Sequence, residues 1–204
     1  MISKPINITI NDLSKTYQQS KGIVSVSKVF ESGKLHIFSG ENGSGKSTLI
    51  KCMMNLVHYQ GHIEKRRYRI GYAPEHYNMP GHMTVNEFLR AIGRIKHLYQ
   101  PFYHVELKTY LEMFDLSHKI NEPIKYLSNG MKQKINLIQA LLNQPKIIIL
   151  DEPLVGLDVE SQKKLIKRVI DLSKHCLVII STHYPEKFKT KRKEIHHFYQ
   201  GKIL

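Results

Sequence analysis

The sequence predicts an α/β fold with a largely parallel sheet, and three observations point to it. Short apolar or β-branched runs recur along the 204 residues: INITI (6–10), KLHIFS (34–39), RIGYA (69–73), KIIILD (146–151), LVIIS (177–181) and EIHHFY (194–199). Several are apolar almost throughout, as central strands covered on both faces are, rather than alternating. Between them lie helical patterns, LIKCMMNLV after KST and SQKKLIKRVIDLS (161–173), the latter with Leu165, Val169 and Leu172 on one stripe.

Taken in order, INITI opens the chain as a strand, and KLHIFS leads through a glycine-rich segment into the first helical pattern. The stretch HYQGH (58–62) reads as a turn around Gly61. The middle third differs. TVNEFLRAIGRIKHLY and VELKTYLEMFDLS are helical patterns separated by Pro101, and Thr84 with Glu87 has the spacing of a capping box. Residues 84–118 are therefore expected to form a small helical subdomain, extending into the helix start at 128, inserted into the α/β core (1–83 and 119–204) of a single domain spanning 1–204.

Composition narrows the class. Hydrophobic residues make up 41% and charged residues 24%, as in a globular protein. No apolar run approaches the roughly 20 residues that cross a bilayer, and the N-terminal segment lacks the apolar stretch of a signal peptide. A cytoplasmic location is expected. Cys52 and Cys176 show no metal-ligand spacing and are read as reduced and buried. The histidines are read as ordinary surface or loop residues, with the exception of His183; His196 and His197, adjacent on a strand, point to opposite faces. A net charge of +14 suits nucleotides, nucleic acid or an anionic membrane surface without choosing among them.

The chemistry concentrates in a few motifs. GENGSGKS (40–47) fits G-x-x-x-x-G-K-S/T between a strand and a helix, the context a phosphate-binding loop requires. Gly40, Gly43 and Gly45 let successive N–H groups turn inward as an anion nest, and the helix N-terminus adds partial positive charge. Lys46 reaches the β- and γ-phosphates of a nucleoside triphosphate and the Ser47 hydroxyl ligates Mg²⁺. Downstream, KIIILDEP ends an apolar strand with Asp151, a candidate Mg²⁺ ligand, and Glu152, placed to polarise a water for attack on the γ-phosphate. In LSNGMKQK (127–134), Ser128 and Gly130 stand where Met131, Ile135, Ile138 and Leu142 begin one helical stripe. An ordinary N-cap and an anion-binding helix start both fit that stretch by itself.

Together these motifs make the chain resemble an ATP-binding-cassette (ABC) ATPase, the nucleotide-binding subunit of an ABC transporter, over essentially all of its length. GENGSGKST resembles the family's Walker A loop, which implies ATP contacts from Gly40, Glu41, Asn42, Gly43, Ser44, Gly45, Lys46, Ser47 and Thr48. IIILDEP resembles Walker B, LSNGMKQK the signature (Ser128, Asn129, Gly130, Met131), GLD the D-loop (Asp158), and STH the switch histidine motif, which implies that His183 contacts the γ-phosphate. Tyr17 matches the aromatic on which adenine stacks. Three positions depart from the family pattern. Glu75 stands for the usual glutamine that senses Mg²⁺ and the attacking water, Leu154 for threonine or serine after DEP, and Lys134 for the arginine that ends the signature.

The resemblance implies a P-loop NTPase core with an N-terminal antiparallel β element and an inserted helical subdomain, and ATP and Mg²⁺ as ligands. It implies a head-to-tail pair with a second, identical or paralogous ABC subunit, two ATP molecules being sandwiched so that Ser128 and Gly130 act in trans. Integral membrane permease subunits are the expected further partners, holding the chain on the inner face of the membrane. GYAPE with LS-x-GMKQ is similar to exporters of drugs and antimicrobial peptides, so export is the expected direction. The alternative, a soluble ABC ATPase of nucleic acid, ribosome or cofactor assembly, is disfavoured. The phosphate loop and signature lie too close in sequence for a long coiled coil, and the chain carries a single cassette.

Overall fold

The computed structural model of the chain describes residues 5–17, 22–98 and 102–204, residue 102 by its backbone alone. In chain order the strands are β1 (Asn7–Thr16), β2 (Gly22–Glu31), β3 (Leu35–Ser39), β4 (Gln60–Lys65), β5 (Ile70–Ala73), β6 (Ile147–Asp151), β7 (Leu177–Ser181), β8 (Lys193–Tyr199) and β9 (Lys202–Ile203). The helices are α1 (Lys46–Met53), α2 (Val85–Ile95), α3 (Phe102–Met113), α4 (Asn129–Leu141) and α5 (Val159–Ser173). The chain divides into two compact units, residues 1–68 with 169–204, and residues 69–168. Pro101, expected to break the helical stretch, lies outside the described residues.

In the first unit, β1 pairs antiparallel with β2 and β4, Ile8 facing Phe30 and Ile10 facing Ile63. Ile8, Ile10, Leu13, Ile23 and Phe30 are buried, so one face of this element is apolar and fixes its register. β3 lies parallel to β7 and to β8, and β9 closes antiparallel on β8. Leu35, His36, Ile37 and Phe38 are fully buried, which explains the nearly unbroken apolar run of KLHIFS.

Two expectations fail here. HYQGH is no simple turn, because Gln60 opens β4 and His62 pairs with Asn11. Gly61 makes this possible. A β-carbon there would stand 2.2 Å from the Asp12 carbonyl oxygen, at the bulge where the β1–β4 register shifts. His36 and His196 are not surface or loop residues either. Both are buried, and His36 Nδ1 lies 3.1 Å from His196 Nε2, in one hydrogen bond between neighbouring strands. His196 points inward and His197 outward, as strand alternation requires.

In the second unit, β5 and β6 pair in parallel, Ile70 with Ile147 through Ala73 with Leu150. α4 packs on β5, where a β-carbon at Gly71 would meet the Ala140 carbonyl oxygen at 1.9 Å, so only glycine admits the helix this close. Gln139 donates to the Tyr72 carbonyl at 2.7 Å and Asn136 to that of Pro74 at 2.9 Å. α2 begins in a capping box, with Thr84 Oγ1 accepting from the Glu87 N–H and Glu87 returning the bond to the Thr84 N–H. Among the described residues no helix is long and apolar enough to cross a membrane.

Candidate functional site

The phosphate-loop segment joins β3 to α1. Gly43 and Gly45 hold φ of 79° and 112°, a left-handed backbone that side-chain-bearing residues adopt at a cost. At Gly45 a β-carbon would also come within 2.7 Å of the Gly22 carbonyl oxygen. Lys46 is buried at the first position of α1, and its ammonium donates to the carbonyls of Gly40 (2.7 Å) and Glu41 (2.9 Å). Ser44 Oγ is buried and makes no hydrogen bond among the described residues. A buried cation, an unengaged hydroxyl and a helix N-terminus thus converge on a loop without bulky side chains, the donor set an oligophosphate requires. Ser47 and Thr48 are half-buried in the first turn of α1, and Glu41, Asn42 and Gly43 are exposed.

Asn42 also touches the residue expected to act as the switch. His183 Nε2 lies 3.0 Å from Asn42 Oδ1, and because an amide oxygen only accepts, Nε2–H is the donor in this contact. Tyr17 is 41% exposed and carries the Lys15 ammonium 4.9 Å above its ring centroid, leaving an accessible aromatic face.

The second unit holds the remaining predicted residues. Asp151 and Glu152 are buried at the end of β6, and Glu152 has φ of 47°. A β-carbon-bearing residue in that region stores strain, a feature common at working sites. Tyr72, on the neighbouring β5, is pushed up to about 12, first by burial and then by the Asp151 carboxylate. Glu75 is exposed and lines a cleft of about 840 Å³ together with Tyr77, Met79, Lys125, Asn129 and Lys132.

At the signature, Ser128 is the N-cap of α4, its Oγ accepting from the Met131 N–H at 3.2 Å. The N-cap and anion-site readings coexist, since an accepting hydroxyl still has a proton to donate. Ser128 and Asn129 are exposed, and Gly130 and Met131 are half-buried. A β-carbon at Gly130 would stand 2.6 Å from the Gly156 carbonyl oxygen, so glycine lets the 153–158 segment lie against the helix start. Asp158 receives the Lys134 ammonium at 2.7 Å and N-caps α5 through the Ser161 N–H at 2.8 Å. Lys134 first, and then Ser161, hold the Asp158 carboxyl far below the usual range. Sequence spacing marked Lys134 only as a departure and gave no sign of its partner, because the two residues meet through folding.

Ser47 in the first unit, and Asp151 and Glu75 in the second, each carry an oxygen donor of the kind a hard cation such as Mg²⁺ prefers.

A family model described as ABC transporter matches residues 23–155. The ABC transporter ATP-binding protein YxlF of Bacillus subtilis (strain 168) is 32% identical over 183 residues, covering 86% of this chain and 62% of that protein. The zinc import ATP-binding protein ZnuC of Yersinia pestis is 30% identical over 185 residues, covering 88% and 70%. This chain therefore spans less than two thirds of the first relative's length. Among solved structures, an ATP binding subunit of an ABC transporter superimposes with a TM-score of 0.88 at 27% identity, over 96% of this chain and 87% of that one. A dimeric bacterial ABC transporter cassette gives 0.85 at 22% identity over 96% of each, a likeness of fold. With more than half of the chain inside the family match and the same cassette fold in solved members, the chain belongs to the ABC transporter family, as an ATP-binding protein.

Proposed function

We propose that the chain binds and hydrolyses ATP as one of a head-to-tail pair of cassettes, and that the cycle of closing and opening powers transport through separate membrane-spanning subunits. The observation that carries this reading is the phosphate loop, with its left-handed glycines, the buried Lys46 and the unengaged Ser44 hydroxyl. Lys46 and the loop amides hold the phosphates. His183 donates from Nε2 to a γ-phosphate oxygen when nucleotide is bound, exchanging the Asn42 amide oxygen for the phosphate as acceptor. Glu152 accepts the proton of the attacking water, whose oxygen bonds to the γ-phosphorus as the bond to ADP breaks. Ser47 and Asp151, with Glu75, would hold Mg²⁺, which when bound would supply positive charge against the phosphates. Tyr17 offers its ring to the adenine.

Ser128, Asn129, Gly130 and Met131 serve the nucleotide of the partner cassette, identical or paralogous. Two exposed apolar residues, Val155 (59%) and Val159 (69%), flank Asp158 in the adjoining segment and give that pairing an apolar component. The cleft beside Glu75 is the surface that a permease segment would fill, which would hold the chain peripherally on the inner face of the membrane. Export rests only on the GYAPE and LS-x-GMKQ combination, and the relatives' names do not support it, one of them being an import protein. Uptake or release of solute by vesicles containing the chain with its permease decides direction.

The test is Glu152→Gln. The variant is expected to bind ATP, to hydrolyse it at least about 100-fold more slowly, and to accumulate as an ATP-dependent dimer in size-exclusion chromatography. Turnover at the normal rate would remove Glu152 from the mechanism, and a persistent monomer would remove the paired site.

A further inference from the structure

Among the described contacts, three tie the segment after β6 to the first turns of α4, all within the second unit. Gln133 Nε2 donates to the Pro153 carbonyl at a long 3.4 Å. Gly130 lies close to Gly156, where a β-carbon would stand 2.6 Å from the Gly156 carbonyl oxygen. The third tie is the Lys134–Asp158 ion pair at 2.7 Å, with the Lys134 side chain 13% exposed. A charge-assisted hydrogen bond at this length is the strongest of the three. Asp158 is held on its other side by Ser161, whose N–H and hydroxyl each donate to it at 2.8 Å, so its carboxylate is fixed to the start of α5.

We infer that Lys134 is a positioning residue that clamps the Glu152-bearing segment to the signature, so that the signature meets the partner's nucleotide in the correct register. The inference rests on the reading that residues 128–131 act in trans. A single ammonium suffices because the carboxylate is already oriented by Ser161. The lysine therefore needs to supply charge and reach rather than the paired geometry of a guanidinium. With a neutral residue at 134, the long Gln133 bond and the Gly130 contact are the described ties that remain between the segment and α4. Gln162 holds the Leu154 and Leu157 carbonyls to α5. The helix start and the segment then become free to shift against each other by the few tenths of an ångström that their close approach forbids.

The experiment uses the full chain in the Glu152→Gln background, with dimerisation followed as a function of ATP concentration. Adding Lys134→Gln is expected to raise the ATP concentration for half-maximal dimer about tenfold, within the range of measured coupling between sites, while ATP binding to the monomer and the thermal midpoint stay unchanged. Lys134→Arg should restore dimerisation. Asp158→Asn, which keeps an N-cap for α5, should reproduce the defect, and the double variant should add nothing further. Unaltered dimerisation in Lys134→Gln overturns the inference. So does a loss of monomer binding or of thermal midpoint that parallels the dimer defect, since that would mark a residue of general stability. If the Glu152→Gln parent fails to dimerise, the trans reading itself fails, a result distinct from either.

Discussion

The phosphate loop and the signature both present a helix N-terminus to solution, yet they are built on opposite plans. The loop of the first unit is made of backbone around a buried lysine. Its glycines hold left-handed φ, Lys46 is folded onto its carbonyls, and Gly45 fits against Gly22 too closely for a β-carbon. The signature of the second unit is exposed and rests on side-chain ties, namely the Ser128 cap, the Gln133 bond and the Lys134–Asp158 pair. A backbone nest is complete within one chain. An exposed helix start with small residues at its tip leaves room for a ligand carried by another molecule. On the proposed reading, that difference separates binding by the monomer from chemistry by the pair.

The harshest break of that contrast is Lys46→Ala. Losing charge-assisted hydrogen bonds to phosphate costs about 3 kcal/mol, more than 100-fold in affinity. Isothermal titration with ATP should find no binding by the monomer, and hence no dimer. If the variant still bound ATP with native affinity, the nest would not depend on its lysine.

Gly130→Val probes the other side. The added β-carbon meets the Gly156 carbonyl at 2.6 Å, and the 153–158 segment must give way. ATP-dependent dimerisation and steady-state turnover should fall at least about tenfold, while ATP binding by the monomer is retained. Equal loss in both measurements would dissolve the distinction between the two regions.

The phosphate loop was legible because its physics is local. Strand, glycine spacing, lysine and helix follow one another in a single stretch, so GENGSGKS states the geometry before any tertiary contact is known. The central strands were legible for the same reason, burial on both faces leaving nearly unbroken apolar runs. β4 was not, because QGHIEK has no apolar alternation and its pairing depends on Gly61 meeting a bulge in β1. Lys134–Asp158 and His36–His196 were invisible because residues distant in sequence meet only in the fold. At the signature, an N-cap serine looks the same in a sequence whether or not a ligand visits it. What the motif adds comes from its company.

The histidine pair allows a pH test confined to the first unit. Burial lowers His36 and holds His196 down at about 4, the adjoining His36 adding to the effect. Glu194 opposes it, but its own carboxyl is held at about 2, chiefly by Lys34 and then by Lys28, so the acid is already paired. Both rings are neutral in the folded state, whereas the unfolded chain binds protons below about 6.5. Stability should therefore be level above pH 6.5 and fall as pH drops toward 4, by about 3 kcal/mol for His196. Thermal midpoints across that window should show the loss, and His196→Asn should flatten it. A midpoint that rose on acidification would contradict a neutral pair.

The smallest expected effect sharpens the contrast from the side of the second unit. Thr84 begins α2 with a reciprocal box, its Oγ1 accepting from the Glu87 N–H at 3.2 Å and its own N–H donating to Glu87 at 2.8 Å. Removing the hydroxyl leaves the Glu87 N–H to water, and N-cap losses of this kind cost about 1 kcal/mol. The bond from the Thr84 N–H to Glu87 survives in Thr84→Ala, which places the loss toward the lower end of that range. Glu87 is held below its usual value by the Thr84 backbone and then by the Thr84 hydroxyl, so its carboxylate form is the one stabilised. That part of the stability is present at neutral pH and is lost as pH falls through the lowered value. Thr84→Ala should therefore lower the thermal midpoint slightly near neutral pH and by less in acid, flattening the acid slope as His196→Asn does, but by a smaller amount. ATP binding by the monomer should not change, because the phosphate nest belongs to the other unit. A measurable change in ATP affinity would show that the two units exchange free energy even before a partner arrives.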